Sequence, residues 1–324
     1  MDDYKSCAIT SREVSAFVFD VKEMINATDV IFFNNNDQYV YSANMNTKKT
    51  VKNDKISAEL YSVSDVLNER LYGQCKSIIF TSATLATGDS FKSFKDAIGL
   101  PADTRECQLS SSFDYDKNMT IYVANDMPAN PNAPEYTDRL AQFLTDVHIA
   151  GDGSILSLFT NRRQMERAFE VVSEDIKPHG LRLLMQKWGL SVKGVKDEFL
   201  SNEKLSLFAL KSFWEGFDAP GSTLKSVVIC KLPFTRVDDP LNLERRARED
   251  NAWFKYTLPA SVIETKQAVG RLIRKADDKG YIVFADSRLV QKTYGELFLR
   301  SMPSQNIKIM GCNEIVDDIS KLDI

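Results

Sequence analysis

The sequence predicts an α/β fold, a parallel sheet flanked by helices, on three observations. Short apolar runs bounded by turn residues recur along the chain, among them Ser154–Phe159, Leu224–Cys230 and Tyr281–Ala285, and such runs read as strands buried on both faces. Segments with helical spacing of apolar residues and polar first residues separate them. The segment Lys211–Gly221 is a polar, glycine-containing turn directly after another apolar run, where open sheets bind ligands outside the carboxyl ends of their strands.

The start of the chain is the least regular part. Val14–Phe19 reads as a strand, Asp37–Ala43 alternates enough for a second, and Asn34–Asn35–Asn36 makes a turn between them. From Lys55 an alternating strand is expected, then a helix from about Ser64 to Tyr72 with Ser64 as N-cap and Asp65 near its positive end. A buried strand Ser77–Phe80 follows. Beyond them come a strand Met119–Ala124, a proline-rich loop Asn125–Pro134, and a helix Glu135–Ile149 ended by Gly151–Asp152–Gly153. After strand Ser154–Phe159, Thr160–Asn161 opens a helix running to about Ile176. Strands Leu181–Met185 and Leu205–Leu210 flank a helix Val192–Phe199, and strand Leu224–Cys230 precedes a helix Pro240–Phe254. Leu289–Leu299 reads as a helix, and Asn306–Ile324 as a short strand with a terminal helix.

With 324 residues the chain can hold one large or two ordinary domains, and 43% hydrophobic with 27% charged residues is ordinary for a soluble globular protein. No apolar run reaches the length needed to span a bilayer, and the opening MDDYKSCAIT is too polar for a signal peptide, so no membrane partner and a cytoplasmic location are expected. Cys7, Cys75, Cys107, Cys230 and Cys312 are scattered without C-x-x-C spacing, which points to reduced thiols. His148 and His179 are too few for a histidine zinc site, both are expected to be structural or exposed, and no metal site is expected. A net charge of −4 is unlike the footprint of a strongly basic nucleic-acid-binding domain. Nucleic acid would have to bind in a local groove, with Arg162, Arg163, Lys211, Lys231, Arg236 and the cluster Arg245, Arg246 and Arg248 as candidate positives; the mixed signs around that cluster favour a solvated helix.

The stretch Thr265–Asp286, TKQAVGRLIRKADDKGYIVFAD, carries the sharpest signal. Gln267, Arg271 and Arg274 stand at i, i+4 and i+7, so on a helix they share one face, with Val269, Leu272 and Ile273 on the buried side. By spacing alone such a pair of arginines is either a solvated face or a phosphate-facing one. The whole string, Q-A-V-G-R-L-I-R before a strand, resembles motif VI of superfamily two helicases in the form seen in the DinG and XPD branch. Thr81–Leu85 (TSATL) resembles motif III, Leu158–Asn161 (LFTN) motif IV, and Ser212–Asp218 (SFWEGFD) the DinG form of motif V; Ser110–Asp116 (SSSFDYD) is similar to the family's crossover between motor domains.

The resemblance covers about Ile56 to Leu299 and implies RecA-like motor domains: the end of the first over residues 1–112 and the second over 113–324. It implies an ATP-dependent 5′–3′ DNA helicase acting on single-stranded DNA. Arg271 and Arg274, with Gln267, would act as arginine fingers in catalysis; Glu215, Gly216, Asp218 and Gly270 would line the nucleotide, Gly270 also letting its helix approach a neighbour closely. Ser82, Ala83 and Thr84 would couple nucleotide state to grip on the strand. Phe159, Thr160, Asn161, Arg162, Lys211 and Ser212 would contact the DNA backbone, and Trp214 would pack. No G-x-x-x-x-G-K-[ST] loop and no Asp-Glu pair after an apolar strand occur in the sequence. ATP and Mg²⁺ would therefore be held mainly by an N-terminal motor domain of the same parent chain. This chain reads as a fragment, monomeric and inactive alone, and its cysteines do not match the iron–sulfur arrangement common in XPD-like enzymes. Two rival readings stay open: a non-catalytic nucleic-acid- or protein-binding module of helicase fold, and the regulatory helicase-like part of a nuclease fusion.

Overall fold

The computed structural model of the chain describes residues 2–33, 36–45, 54–186, 192–211 and 223–323. Two compact units emerge: one of residues 1–78, 96–100 and 236–252, the other of 79–95, 101–235 and 253–324.

The larger unit is built on seven strands: β3 (Met119–Ala124), β4 (Ile155–Leu158), β5 (Arg182–Met185), β6 (Leu205–Ala209), β7 (Ser226–Ile229), β8 (Gly280–Phe284) and β9 (Ile307–Met310). All pair in parallel, in the order β5-β6-β4-β7-β8-β3-β9. The apolar runs are continuous because the sheet is covered on both faces. Alternate residues face opposite ways. Leu156, Leu158, Val227, Ile229, Ile282 and Phe284 pack with α7 (Val192–Leu200), α9 (Leu258–Val269), α10 (Arg288–Gln291) and α11 (Gly295–Arg300). Ile155, Phe159, Val228 and Val283 pack with α5 (Pro134–Ala150), α6 (Arg162–Asp175) and α12 (Cys312–Ile319). α5 starts with Pro134 at its first helical position, where a missing N–H does no harm. It leaves through three consecutive left-handed residues, Asp152, Gly153 and Ser154 (φ 54°, 86° and 56°). Such backbone is unfavourable for non-glycine residues and is held by Lys204, whose Nζ lies 2.5 and 2.6 Å from the Asp152 carboxylate oxygens.

In the smaller unit α1 (Asp2–Phe32) precedes the antiparallel pair β1 (Tyr39–Asn44) and β2 (Lys55–Leu60), registered Tyr39 to Leu60 through Asn44 to Lys55. α2 (Ser64–Arg70) follows, and the end of α3 (Lys92–Ile98) belongs here too. α8 (Pro240–Arg248) touches this pair along one side, and none of its residues is buried. The Arg248 guanidinium lies 4.5 Å from the Tyr61 ring centre and donates to the Asp37 carbonyl at 2.9 Å, and the Tyr61 hydroxyl donates to Glu249 at 2.7 Å.

Five local expectations are corrected. Val14–Phe19 lies within α1, not a strand; a short apolar run is ambiguous by period, and no Gly or Pro interrupts the segment from Asp2 to Phe32. Ser77–Phe80 has no regular structure, for no described strand pairs with it, and Ile79 is 86% exposed. Ser64 is the first helical residue rather than the cap, its N–H donating to Ser62 Oγ. The expected helix Pro240–Phe254 ends at Arg248 and is followed by a separate wide turn at Trp253–Thr257. The helix expected over Leu289–Leu299 is two, broken where Lys292 is extended (φ −116°, ψ 141°), and Gly295 then lies so close to the Leu289 backbone that a Cβ there would collide with it. Asn34 and Asn35 lie outside the described residues.

His148 is fully buried beside the Phe208 ring (centroids 5.7 Å apart), its Nε2 3.3 Å from Ser157 Oγ. Burial drives its pKa down to about 3 from the ordinary 6.5. The folded state thus prefers the neutral ring, and the contribution present above pH 6.5 is lost as pH falls through the window from 6.5 to 3. Denaturant unfolding at pH 7 and at pH 4.5 should therefore differ by about 2–3 kcal/mol more in the wild type than in His148→Gln.

Candidate functional site

Because the strands are parallel, their carboxyl ends open on one edge of the sheet and the returning connections arrive at the other. At the carboxyl edge, Phe159 follows β4, but its ring is fully buried 4.9 Å from that of Phe208, and its N–H donates to the Ala209 carbonyl. Thr160 and Asn161 are exposed. Asn161 caps α6, its Oδ1 accepting the Gln164 N–H at 3.3 Å, while Arg162 in the first turn pairs with Glu166 at 3.7 Å. Lys211, after β6, is exposed and ion-paired to Glu264 of α9 at 2.9 Å. Ser212, Trp214, Glu215, Gly216 and Asp218 lie outside the described residues.

The arginines are placed differently from expectation. α9 stops at Val269 with Gly270 as its C-cap, and the last turn tightens through Arg271 N–H to Ala268 and Leu272 N–H to Val269 bonds. Gln267, Arg271 and Arg274 therefore do not share one helix face; both arginines stand, half-buried, on the turn that enters β8 at its amino end. Asn118 Nδ2 donates to the Ala276 carbonyl at 3.0 Å and fixes that turn beside the start of β3. Asp278 braces it from within, one carboxylate oxygen accepting the N–H groups of Arg274 and Lys275, both at 2.8 Å. Leu272 and Ile273 are buried as expected. Gly270 has ordinary helical φ, and a Cβ there would meet only carbonyls of its own helix, so it ends α9 rather than admitting a neighbour.

Ser82, Ala83 and Thr84 form a polar turn: Ser82 Oγ accepts the Thr84 N–H at 3.2 Å and lies 3.3 Å from Thr84 Oγ1. Gln267 Nε2 donates to that same Thr84 Oγ1 at 3.3 Å. The segment read as coupling and the segment read as catalytic are in contact. Next to Gln267, burial lowers the pKa of Lys266, opposed by the charge of Asp89.

The profile of the helicase C-terminal domain family matches residues 144–305. The chain belongs to this family. It is 38% identical over 247 residues to the ATP-dependent DNA helicase YoaA of Escherichia coli, covering 75% of this chain and 38% of that protein. It is 28% identical over 293 residues to the 3′–5′ exonuclease DinG of Bacillus subtilis, covering 88% of this chain and 32% of that one. The chain thus spans about a third of the length of these relatives. A solved structure titled XPD helicase superposes with a TM-score of 0.59 at 19% identity, over 79% of this chain and 46% of that one, a likeness of fold.

The larger unit also holds a buried polar frame that sequence spacing did not disclose. The Tyr136 hydroxyl lies 2.5 Å from the carbonyls of Cys230 and Ala285, tying the carboxyl ends of β7 and β8. Asp286, 1% exposed, accepts the Leu232 N–H at 3.0 Å and three bonds from Arg288, one from its backbone N–H at 3.2 Å and two from its guanidinium at 2.8 and 2.5 Å. An acid directly after a buried strand, with Arg two residues on, was the available signal. Among the described residues no group of three or more His, Cys, Asp or Glu is placed to hold a metal, and no helix is long and apolar enough to cross a membrane. Asp278→Ala should remove both braces of the arginine turn. The expected result is a loss of about 1–2 kcal/mol in denaturant unfolding, with faster hydrogen exchange over residues 271–279.

Proposed function

We propose that the parent protein is an ATP-dependent DNA helicase of the DinG and XPD type, and that this chain supplies its second RecA-like motor domain (residues 113–324) with the end of the first (1–112). The hydrogen bond from Gln267 to Thr84 carries this reading, because it joins the hydroxyl turn assigned to coupling to the helix that delivers the arginines. Arg271 and Arg274 stabilise charge on the transferring phosphoryl group when a phosphate loop from the N-terminal motor domain closes against them. Magnesium comes with the nucleotide and is held by that same N-terminal part. Glu215, Gly216 and Asp218 line the nucleotide side of the cleft. Thr160, Asn161, Arg162, Lys211 and Ser212 grip the backbone of single-stranded DNA, releasing and regripping it with each closure, in 5′–3′ movement as the family resemblance implies. The protein acts in the cytoplasm as a monomer without an iron–sulfur cluster in this segment.

A second reading, a helicase-like regulatory part of a nuclease, is favoured by the relatives titled 3′–5′ exonuclease. Exonuclease activity in the full-length parent that persists in Arg274→Ala, with no ATP-driven unwinding in the wild type, would establish it. On the helicase reading, Arg274→Ala in the full-length parent lowers DNA-stimulated ATP hydrolysis by about 10³-fold or more. Its melting temperature stays nearly unchanged, since the side chain is only half-buried. Intact hydrolysis with a large drop in melting temperature would make the arginine structural instead. The isolated chain should show no DNA-stimulated turnover.

A further inference from the structure

The order of the sheet contains a switch point. From β4 the chain crosses through α6 to β5 on one side, whereas from β7 it passes through α8 and α9 to β8 on the other, and β4 and β7 are direct neighbours. Connections that leave adjacent parallel strands in opposite directions open a crevice at their carboxyl ends, and that crevice is where open sheets bind ligands. Here it is bounded by Thr160, Asn161 and Arg162 after β4 and by Lys231 after β7.

The backbone on both sides of Lys231 is anchored. The carbonyl of the preceding Cys230 is tied by the Tyr136 hydroxyl, and the N–H of the following Leu232 by the buried Asp286. Its Nζ lies 2.6 Å from Asn132 Oδ1. That partner is neutral. Other cations of this unit, Lys204, Lys211, Lys308 and Arg288, are each paired to a carboxylate. The nearby carboxylate of Asp286 is already engaged by Arg288 through both oxygens. Lys231 is half-buried, and its pKa is lowered by burial first and by the Arg288 charge second, with Asp286 opposing. A cation partly withdrawn from water, with a rigid backbone and an amide in place of a counter-charge, gains most from an anion that comes and goes.

Resting on the helicase reading above, we infer that Lys231 is a phosphodiester-binding residue of the nucleic-acid path, at the crevice between β4 and β7, and that Asn132 positions it without neutralising it. The α6 N-terminus next to it adds backbone N–H groups on the same edge, with Asn161 capping the third. An Asp at position 132 would close the site internally, because the chain would then supply the counter-charge itself.

The test is binding of a fluorescein-labelled oligothymidylate to the full 324-residue chain, titrated across a salt series by anisotropy. Loss of one backbone contact lowers the slope of log K against log salt by about 0.7, or roughly fivefold in affinity at 0.1 M salt. Lys231→Gln and Asn132→Asp should each show this loss, the double variant no more than either alone, and Lys231→Arg little of it. Asn132 is exposed, so Asn132→Asp probes the charge with the fold intact, verified by an unchanged melting temperature. Wild-type affinity and slope in both single variants would overturn the inference and leave the helicase reading standing. No oligonucleotide binding by the wild type even at low salt would remove both. A parallel calorimetric titration with ATP separates the two phosphate sources: weakened ATP binding in Lys231→Gln with unchanged oligonucleotide binding assigns Lys231 to the nucleotide and overturns the inference.

Discussion

One constraint organises the larger unit: every strand from β3 to β9 runs in the same direction. A parallel ladder needs a crossover for each pairing, so half of the connections gather at the carboxyl edge and half at the amino edge. β4, β7 and β8 are buried at every residue, so their registers are set by how each side chain fills the space on its own face. The polar positions follow without freedom. Thr160, Asn161, Lys211, Lys231 and Asp286 must stand at one edge; the turn with Arg271 and Arg274 must stand at the other. Strands of this length separate the two edges by roughly 13–17 Å. An anion held at one edge does not compete with an anion held at the other.

One rigid element, α9, runs between the two edges of the sheet. Glu264 pairs with Lys211, and three residues on, Gln267 meets Thr84; at that spacing the two side chains lie on one face of the helix. Gly270 then ends the helix and the arginine turn begins. Leu258, Val262, Ala268 and Val269 bury the opposite side in the sheet, so α9 moves as a body or not at all. A shift of α9 would displace the Lys211 contact, the Thr84 contact and the arginine turn together.

What could be read from the sequence was what depends on neighbours in the chain. β3 was legible to the residue because the run Met119–Ala124 is continuous, apolar and followed by a loop rich in Asn and Pro. The N-cap of α6 was legible because Asn161 stands directly before the helix. Val14–Phe19 failed for the opposite reason: a short apolar run fits either period, and only the absence of a breaker over the whole of α1 decides for helix. The frame around Lys231 was illegible, since Tyr136 reaches carbonyls 94 and 149 residues away and no spacing rule spans such distances. Lys231 itself could be picked out as a positive charge. That it faces an amide while its neighbour Arg288 has taken the carboxylate is a fact of tertiary structure alone.

The helix read through Gly270 is the most instructive error, because its correction suits the chemistry better than the expectation did. On a helix face, Arg271 and Arg274 would point along directions set by helical geometry, about a turn apart. On the observed turn their backbone is set by Asp278, which gathers two successive N–H groups onto one oxygen and so curls the chain around a fixed point. Long guanidinium side chains lose much rotamer entropy when they grip an anion, and a braced backbone means that only the side chains have to be ordered at that moment. A turn of this kind can be rigid where it is anchored and still present charge to a ligand delivered from elsewhere.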